Sequence, residues 1–441
     1  MLEVQFKMLN RLFKVGLNYI DLIVDEFESL WKDSTPLIIC DTNTWNVAGM
    51  KINENFIAAG ISPQLLIFPD EHLEPTTDNV KKVKNFLEKN NGIAIAVGSG
   101  TINDLVKRAS HEVNQSYAVF PTAPSVDGYT AYGAALIVDG FKTTLPCNPP
   151  LLVLADTEII RNAPLDMIAS GYGDLSAKIT AGADWIIASQ MGIEPVDKQV
   201  WDMVQGPLKT RLSNPELLKQ RDGEIITNFF KGLIEVGYAM EIYKDSRPAS
   251  GAEHLLSHVW EMEHLCVDNV PVSHGFKVSI GTLVVTAMMT ELRAYTSDNI
   301  IHLEDVADTW SERLKEIKLY FDESLPSFDK IVEASLDKFC GGEKLEERRG
   351  NYKNNINIIN SRIADQIISF EDLQERYNLA GCPFEPKKIG LTRNQLALGI
   401  RKAQHIRKRY TILDLLYETG LIDDMINTVV YSDKYFTDFK E

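Results

Sequence analysis

Four of the eight histidines of this 441-residue chain lie within residues 247–276, and their spacing suits metal chemistry. His254 and His258 are four residues apart, so on a helix they share one face, with Cβ atoms about 5–6 Å apart. His274 follows a break at residues 268–271 and can fold back toward that face. The arrangement suits a divalent metal that takes imidazole nitrogens and a further oxygen ligand from elsewhere in the chain. A buried helix with satisfied polar groups is the simpler explanation of one histidine pair, so the motif needs support from other segments.

A candidate oxygen ligand lies in the segment ASGYGDLSAKITAGADW, residues 169–185. Asp174 follows two glycines there, at the start of a predicted helix. It is either the hard oxygen ligand that the histidines lack or an N-terminal acid that the helix dipole stabilises. The sequence leaves both interpretations open.

A glycine-rich turn, GSGT at residues 98–101, connects a predicted buried strand to a predicted helix. Missing side chains let a pyrophosphate approach the backbone, and the helix N-terminus offers unpaired N–H groups. The third glycine of the GxGxxG fingerprint is absent, and glycines after strands are often only turns. Asp41, which ends the first predicted strand, is a candidate partner for ribose hydroxyls, with a helix N-cap as the alternative.

The segment TAPSVDGYTAYGAA, residues 122–135, is rich in small and hydroxyl-bearing residues, and Asp127 is its only charge. Small polar loops at strand ends often carry ligands. Tight turns built by Pro124, Asp127 and Gly128 explain the composition equally well.

The order of predicted elements indicates the fold class. Short apolar runs predict buried strands, with helical segments between them, at residues 36–41, 64–68, 92–97, 117–125 and 151–156. This alternation is typical of a parallel, doubly wound sheet. Beyond about residue 160 nearly all the periodicity is helical, and residues 1–34 also place apolar residues at helical spacing. We therefore predict an α/β domain over residues 1–160, followed by an all-α domain over residues 161–441.

Composition restricts the class of protein. The net charge of −17 argues against nucleic acid or an anionic membrane as a partner, because phosphate binding needs clustered lysine and arginine. Five scattered cysteines without a CxxC pair are typical of reduced thiols in a cytosolic protein. Since no apolar run reaches membrane-spanning length and the N-terminus lacks a signal-peptide core, we expect a cytoplasmic protein.

Several motifs together resemble one enzyme superfamily. They are VGSGTINDLV, FPTAPSVDGYT, ASGYGDLSAKITAGADW, SRPASGAEHLLSHVWEME, SHG and RYTILDLLYETGLI (409–422). With them the chain resembles the iron-containing alcohol dehydrogenase, glycerol dehydrogenase and dehydroquinate synthase superfamily, and within it the sn-glycerol-1-phosphate dehydrogenases of the bacterial type. The motifs cover nearly the whole chain. The resemblance implies a Rossmann-like dinucleotide-binding domain, a helical domain that binds metal and substrate (a dehydroquinate synthase-like fold), and a homodimer.

The resemblance also implies a binding site for NAD(H) or NADP(H). The turn would hold the pyrophosphate, Asp41 a ribose, and the later residues the nicotinamide end: Asp41, Gly98, Ser99, Gly100, Thr101, Ile102, Thr122, Ser125 and Ala131. Ala131 departs from the family, which usually has a serine there, and this weakens one nucleotide contact. Asp41 and the acidic pair at residues 70–71 favour NAD over NADP, although the bacterial relatives are similar to enzymes that use both.

The implied metal ligands are Asp174, His254 and His274, with zinc or nickel as the ion. Asp127 would contact the substrate hydroxyls, and His258 would contact the substrate and relay a proton. These residue types fit ketone reduction by a nicotinamide, because a metal ion stabilises negative charge on the carbonyl oxygen and an imidazole titrates near neutral pH. The implied reaction is the reversible reduction of dihydroxyacetone phosphate to sn-glycerol 1-phosphate, a step of phospholipid metabolism.

Three alternatives stay open. A glycerol or short-chain alcohol dehydrogenase would act on an unphosphorylated substrate and would lack cations near the site, whereas Arg247, Lys142 and Lys277 flank the motifs here. Arg247 is our hypothesis for a phosphate ligand, because it lies seven residues before His254. A dehydroquinate-synthase-like cyclase would carry more lysines and arginines around the metal. A metal-binding protein with a decayed site would not be expected to retain every ligand.

Overall fold

The computed structural model describes residues 4–8, 11–69, 73–138, 141–300 and 306–441. Contacts between residues divide the chain into two compact units: Met1–Leu175 with Lys209–Asp245, and Ser176–Leu208 with Ser246–Glu441. This division differs from the single boundary predicted near residue 160, because residues 209–245 belong with the first unit. The acidic pair at residues 70–71 lies outside the described residues.

Within the described residues, a seven-stranded sheet organises the first unit, in the order β1-β2-β9-β6-β5-β3-β4. The strands are β1 Val4–Met8, β2 Arg11–Gly16, β3 Pro36–Asp41, β4 Gln64–Phe68, β5 Ile93–Gly98, β6 Ala118–Pro121, β7 Ala134–Val138, β8 Phe141–Leu145 and β9 Leu152–Asp156. In this order across the sheet, every neighbouring pair between β2 and the edge strand β4 is parallel. The pair β1–β2 and the separate pair β7–β8 are antiparallel. The predicted parallel α/β sheet is confirmed, and its central strands are buried as their continuous apolar runs predict.

The N-terminal segment differs from the helical expectation. Residues 11–16 form β2, which pairs in parallel with β9 and places Phe13 opposite Val153. Phe13 is 0% exposed. Burial against a strand that lies far along the chain outweighs the local helical spacing, so the first α-helix begins only at Ile23.

The α-helices of the described residues follow in chain order. They are α1 Ile23–Leu30, α2 Thr42–Thr44, α3 Met50–Ala58, α4 Thr77–Asn90, α5 Gly100–Glu112, α6 Thr157–Arg161, α7 Leu165–Ser176, α8 Lys178–Gln190, α9 Lys198–Arg211, α10 Glu216–Lys219, α11 Gly223–Tyr243, α12 Ala252–Met262, α13 His274–Leu292, α14 Trp310–Tyr320, α15 Phe328–Lys338, α16 Glu343–Gln366, α17 Phe370–Ala380, α18 Arg393–Ala403, α19 Ile412–Glu418 and α20 Ile422–Ile426.

Where the structure describes it, the second unit is helical, as predicted, apart from the short hairpin of β10 (Cys266–Val267) and β11 (Val270–Pro271). By length and composition α13 is apolar enough to cross a membrane, but 83% of its most apolar window is buried inside the protein. That degree of burial is what a core helix shows. The five cysteines are free thiols, in line with their scattered spacing.

Candidate functional site

Helix α12 carries two of the predicted site histidines, and buried carboxylates fix its first turn. The Gly251 amide donates to Glu253 Oε1 at 2.6 Å, and the Ala252 amide donates to Asp184 Oδ2 at 2.7 Å. A Cβ on Gly251 would lie 2.5 Å from that Asp184 oxygen, so a glycine is required there. Because a helix leaves its first N–H groups without intrahelical partners, these carboxylates hold the start of α12 in place.

Asp184 also caps a second helix. Its other oxygen, Oδ1, accepts a hydrogen bond from the amide of Ile412 at 2.7 Å, where α19 begins. Burial raises the pKa of Asp184 to about 7, and the negative charge of Glu253 adds to this effect. The motif RYTILDLL therefore has a structural role, because it supplies a helix start that shares one carboxylate with the start of α12.

Arg247 strengthens this connection and is not available as a phosphate ligand. Its guanidinium donates to the carbonyl oxygens of Tyr410 at 2.8 Å and Asp184 at 3.0 Å, and it lies 3.3 Å from a carboxylate oxygen of Glu194. Arg247 is 0% exposed. Our hypothesis that it binds a substrate phosphate is therefore wrong, because buried groups of the second unit occupy its guanidinium.

The β10–β11 hairpin turns the chain back from α12 into α13. Asp268 and Asn269 form its tip with φ of 50° and 64°, which short polar side chains tolerate. The His274 ring centroid then lies 5.4 Å from that of His254 and 5.9 Å from that of His258. The predicted return of His274 toward the α12 histidines is confirmed.

Two glutamates that the sequence analysis missed orient these imidazoles. Glu253 Oε1 lies 2.8 Å from His254 Nδ1, and Glu261 lies 2.8 Å from His274 Nδ1 and 3.0 Å from His258 Nδ1. Burial acts to raise the pKa of Glu253, but hydrogen bonds from His254 and the Gly251 amide outweigh it and lower the pKa. An imidazole that donates Nδ1–H to a carboxylate presents its Nε2 lone pair, which is the form that binds a metal ion. The available signal was the position of each glutamate, one residue before His254 and three after His258.

The pKa of His258 does not lie in the range that the sequence analysis assumed. Burial lowers the pKa of His258 to about 3, although its hydrogen bond with Glu261 acts in the opposite direction. The imidazole is therefore neutral at physiological pH. In this state it holds Nδ1–H toward Glu261 and can accept a proton at Nε2.

Asp174 lies near the C-terminal end of α7 and is 0% exposed. The alternative that it is an N-terminal acid stabilised by the helix dipole is therefore wrong. Its Oδ2 accepts a hydrogen bond from the Asp127 amide at 2.9 Å. Asp174, His254 and His274 each offer one ligand atom, and these atoms lie within 4.8 Å of one another. Two imidazole nitrogens and a carboxylate oxygen form a donor set that fits a catalytic zinc ion, and imidazole also suits nickel.

The predicted pyrophosphate turn lies at the carboxyl end of the parallel sheet. Gly98 ends β5, and Ser99 is the N-cap of α5 but makes no side-chain capping bond, so its hydroxyl does not satisfy the amides of the first turn. A Cβ on Gly98 would lie 2.7 Å from the side chain of Ile102. Ile102 is 1% exposed, so a bound nucleotide would meet its backbone and not its side chain.

Asp41 ends β3, the neighbour of β5, at the point where the strand order reverses. Open α/β sheets bind ligands at such points. Asp41 Oδ1 accepts from the Thr44 amide at 2.7 Å, so the N-cap alternative is confirmed. A ribose would share this carboxylate with the helix cap.

The segment 122–135 is held from several sides. Lys107, which is 0% exposed, donates to the carbonyl oxygens of Gly128 at 2.6 Å and Gly133 at 2.9 Å. A Cβ on Gly171 would lie 1.8 Å from the Pro124 carbonyl oxygen, so α7 approaches this segment as closely as a glycine allows. The predicted nucleotide contacts in this segment are all buried side chains: Thr122, Ser125 and Ala131.

Comparison with known proteins agrees with this architecture. The iron-containing alcohol dehydrogenase family model matches residues 23–164. An NAD(P)+ glycerol-1-phosphate dehydrogenase of Bacillus velezensis is 33% identical over 296 residues, which cover 66% of this chain and 71% of the relative. The corresponding enzyme of Geobacillus thermodenitrificans is 34% identical over 315 residues, which cover 69% of this chain and 77% of the relative. The crystal structure of a probable glycerol dehydrogenase from Sinorhizobium meliloti superposes with a TM-score of 0.61 at 14% identity, covering 96% of this chain and 98% of that one. The chain belongs to the glycerol-1-phosphate dehydrogenases of the iron-containing alcohol dehydrogenase superfamily and is an NAD(P)-dependent dehydrogenase.

Proposed function

We propose that this dehydrogenase reduces dihydroxyacetone phosphate to sn-glycerol 1-phosphate with NADH or NADPH, reversibly, and that it requires a divalent metal ion. Asp174, His254 and His274 would hold the ion, zinc or nickel. The observation that carries the proposal is this donor set, in which a carboxylate holds Nδ1 of each histidine and leaves Nε2 for the ion. A bound ion would act as a Lewis acid toward a substrate oxygen. The glycerol-1-phosphate dehydrogenases among the relatives support the choice of substrate.

The other predicted residues have distinct roles in this proposal. The dinucleotide supplies the hydride. It is bound and oriented by residues 98–102, Asp41, Thr122, Ser125 and Ala131. Asp127 contacts the substrate hydroxyls. His258 presents Nε2 as an acceptor, so it takes a proton from the hydroxyl group during oxidation and returns it during reduction.

The test uses protein stripped with a chelator and then loaded with zinc or nickel. Oxidation of NADH and of NADPH is followed by cofactor absorbance with dihydroxyacetone phosphate and, separately, with dihydroxyacetone. We expect metal-dependent turnover of the phosphorylated ketone alone, and a chiral assay of the product should find sn-glycerol 1-phosphate. His254→Ala should abolish both metal binding and turnover.

The alternatives give other results. Turnover of the free ketone alone would identify a glycerol dehydrogenase, and release of inorganic phosphate from a sugar phosphate would identify a cyclase. Metal and NAD binding without turnover of either ketone would refute the proposed substrate. The proposal includes a cytoplasmic homodimer, as the family resemblance implies, and light scattering on the purified protein tests the dimer.

A further inference from the structure

Glu253 connects the proposed metal site to the interior of the second unit. Its side chain is 0% exposed, and its two carboxylate oxygens have different partners. Oε1 lies 2.8 Å from His254 Nδ1 and accepts from the Gly251 amide at 2.6 Å. Oε2 accepts from the Thr180 hydroxyl at 2.9 Å. The carboxylate that orients the His254 imidazole is therefore itself held at its other oxygen.

Thr180 lies in α8 and is 0% exposed. Its hydroxyl has one hydrogen and two acceptors within reach, because the carbonyl oxygen of Ala177 lies 3.0 Å away. That carbonyl already accepts from the Ala181 amide at 2.9 Å. A hydrogen bond to a charged carboxylate is also about twice as strong as one to a neutral oxygen. The hydroxyl therefore donates to Glu253 Oε2.

One face of α8 holds the start of α12 in two ways. Thr180 and Asp184 are four residues apart, so they lie on the same side of α8. Asp184 fixes the backbone by accepting from the Ala252 amide, whereas the Thr180 hydroxyl fixes a side chain. A Cβ on Gly251 would lie 2.5 Å from Asp184 Oδ2 and 2.8 Å from Glu253 Oε2, so both carboxylates pack closely against the helix start.

We propose that Thr180 is a positioning residue of the metal site. Its hydroxyl holds the Glu253 carboxylate so that Oε1 faces His254 Nδ1, which keeps the ring hydrogen on Nδ1 and the lone pair on Nε2. Without this donor, Oε2 is a buried charged oxygen that has lost a partner, and the carboxylate loses its fixed orientation. The inference rests on the proposed function for the presence of the ion, but the state of the His254 ring can be measured without any metal.

The experiment compares wild type with Thr180→Val, Thr180→Ala, Thr180→Ser and Thr282→Val. Thr282 is the matched control, because it is also 0% exposed and its hydroxyl donates within its own helix, to the Val278 carbonyl oxygen at 2.8 Å. A chelator competition measures the Kd of zinc. Nitrogen NMR of labelled histidines in the metal-free protein measures the fraction of His254 rings that carry their hydrogen on Nδ1. Urea unfolding identifies the variants that fold, and Thr180→Ala is the second variant without the hydroxyl.

We expect loss of the Thr180 hydroxyl to raise the Kd of zinc roughly 10-fold, the lower end of the effect of losing a partner of a ligating histidine. The fraction of His254 with its hydrogen on Nδ1 should fall as well. Thr180→Ser keeps the hydroxyl and should restore both values. Thr282→Val should leave both values near those of wild type, although it also removes a buried hydrogen bond.

The inference is overturned if the variants without the Thr180 hydroxyl match Thr282→Val in both values, or if Thr180→Ser is as impaired as they are; the proposed function then stands. Wild type that binds neither zinc nor nickel would refute the proposed function and the inference together. Zinc binding that depends on Thr180, in an enzyme that does not turn over dihydroxyacetone phosphate, would support the inference and refute the proposed substrate.

Discussion

Glu261 is a residue whose replacement tests the proposed metal site through the orientation of its histidines. Its carboxylate lies 2.8 Å from His274 Nδ1 and 3.0 Å from His258 Nδ1, and its side chain is 5% exposed. Glu261→Gln keeps the shape but turns one acceptor oxygen into a donor, so at least one imidazole loses its partner. Loss of such a partner lowers metal affinity by about 10- to 100-fold. This corresponds to about 1.4–2.7 kcal/mol, close to the value of one hydrogen bond to a charged group, about 1.5–3 kcal/mol.

The assay is a zinc titration against a fluorescent chelator at fixed pH, with the thermal midpoint measured in the presence and absence of zinc. Glu263→Gln is the matched control. This glutamate lies two residues further along, is exposed and pairs with Lys402, so its replacement should alter zinc affinity by less than about 1 kcal/mol. If Glu261→Gln binds zinc as tightly as Glu263→Gln, the imidazoles do not depend on this carboxylate and our account of the metal site is refuted.

Three further predictions concern the framework around the site. Gly171→Ala should lower the free energy of unfolding in urea by about 1–3 kcal/mol, because its Cβ would meet the Pro124 carbonyl. Gly350→Ala is the control, since it has open space around it, and it should raise the free energy of unfolding by about 0.5–1 kcal/mol. Equal effects of the two substitutions would contradict the close approach of Gly171 to Pro124. Lys107→Met removes the ammonium donor from the carbonyl oxygens of Gly128 and Gly133 and should lower the free energy of unfolding by about 1–3 kcal/mol; calorimetry should also find weaker NAD binding, and unchanged values of both would count against its role. Burial lowers the pKa of the His405 imidazole far below its ordinary value. Below about pH 6.5 the imidazole therefore takes up a proton only in the unfolded chain. The free energy of unfolding should consequently fall by about 1.4 kcal/mol for each pH unit below this value. His405→Gln should remove this contribution to the pH dependence. If the free energy of unfolding of the variant changes with pH as steeply as that of wild type, the burial of His405 is not its cause.

The features that the sequence predicted correctly depend on local signals. The strand at residues 36–41 is a short, uninterrupted apolar run, and buried parallel strands need this pattern on both faces. The return of His274 toward His254 follows from a break rich in turn-forming residues, which the structure folds as a two-residue hairpin tip. In both cases the information lies within a few residues of the feature.

The features that the sequence did not predict depend on distant partners. β2 forms because its apolar side chains are buried beside β9, whose residues follow much later in the chain. Arg247 lies near a predicted ligand in sequence, yet the carbonyl oxygens of Tyr410 and Asp184 bind it in the interior. No local pattern distinguishes an arginine that reaches substrate from one that connects three buried segments.

The double cap formed by Asp184 has a consequence for when α12 is completed as the chain is synthesised. One carboxylate receives the starts of α12 and α19, so Ala252 and Ile412 complete their helix ends together. A nascent chain still attached to the ribosome contains His254 and His274 long before Ile412 has emerged. Until then Asp184 accepts a hydrogen bond from the Ala252 amide alone, and Arg247 has no Tyr410 carbonyl oxygen to bind. The helix that carries His254 and His258 therefore reaches its final support only after Ile412 has emerged, although all of its own residues are made much earlier.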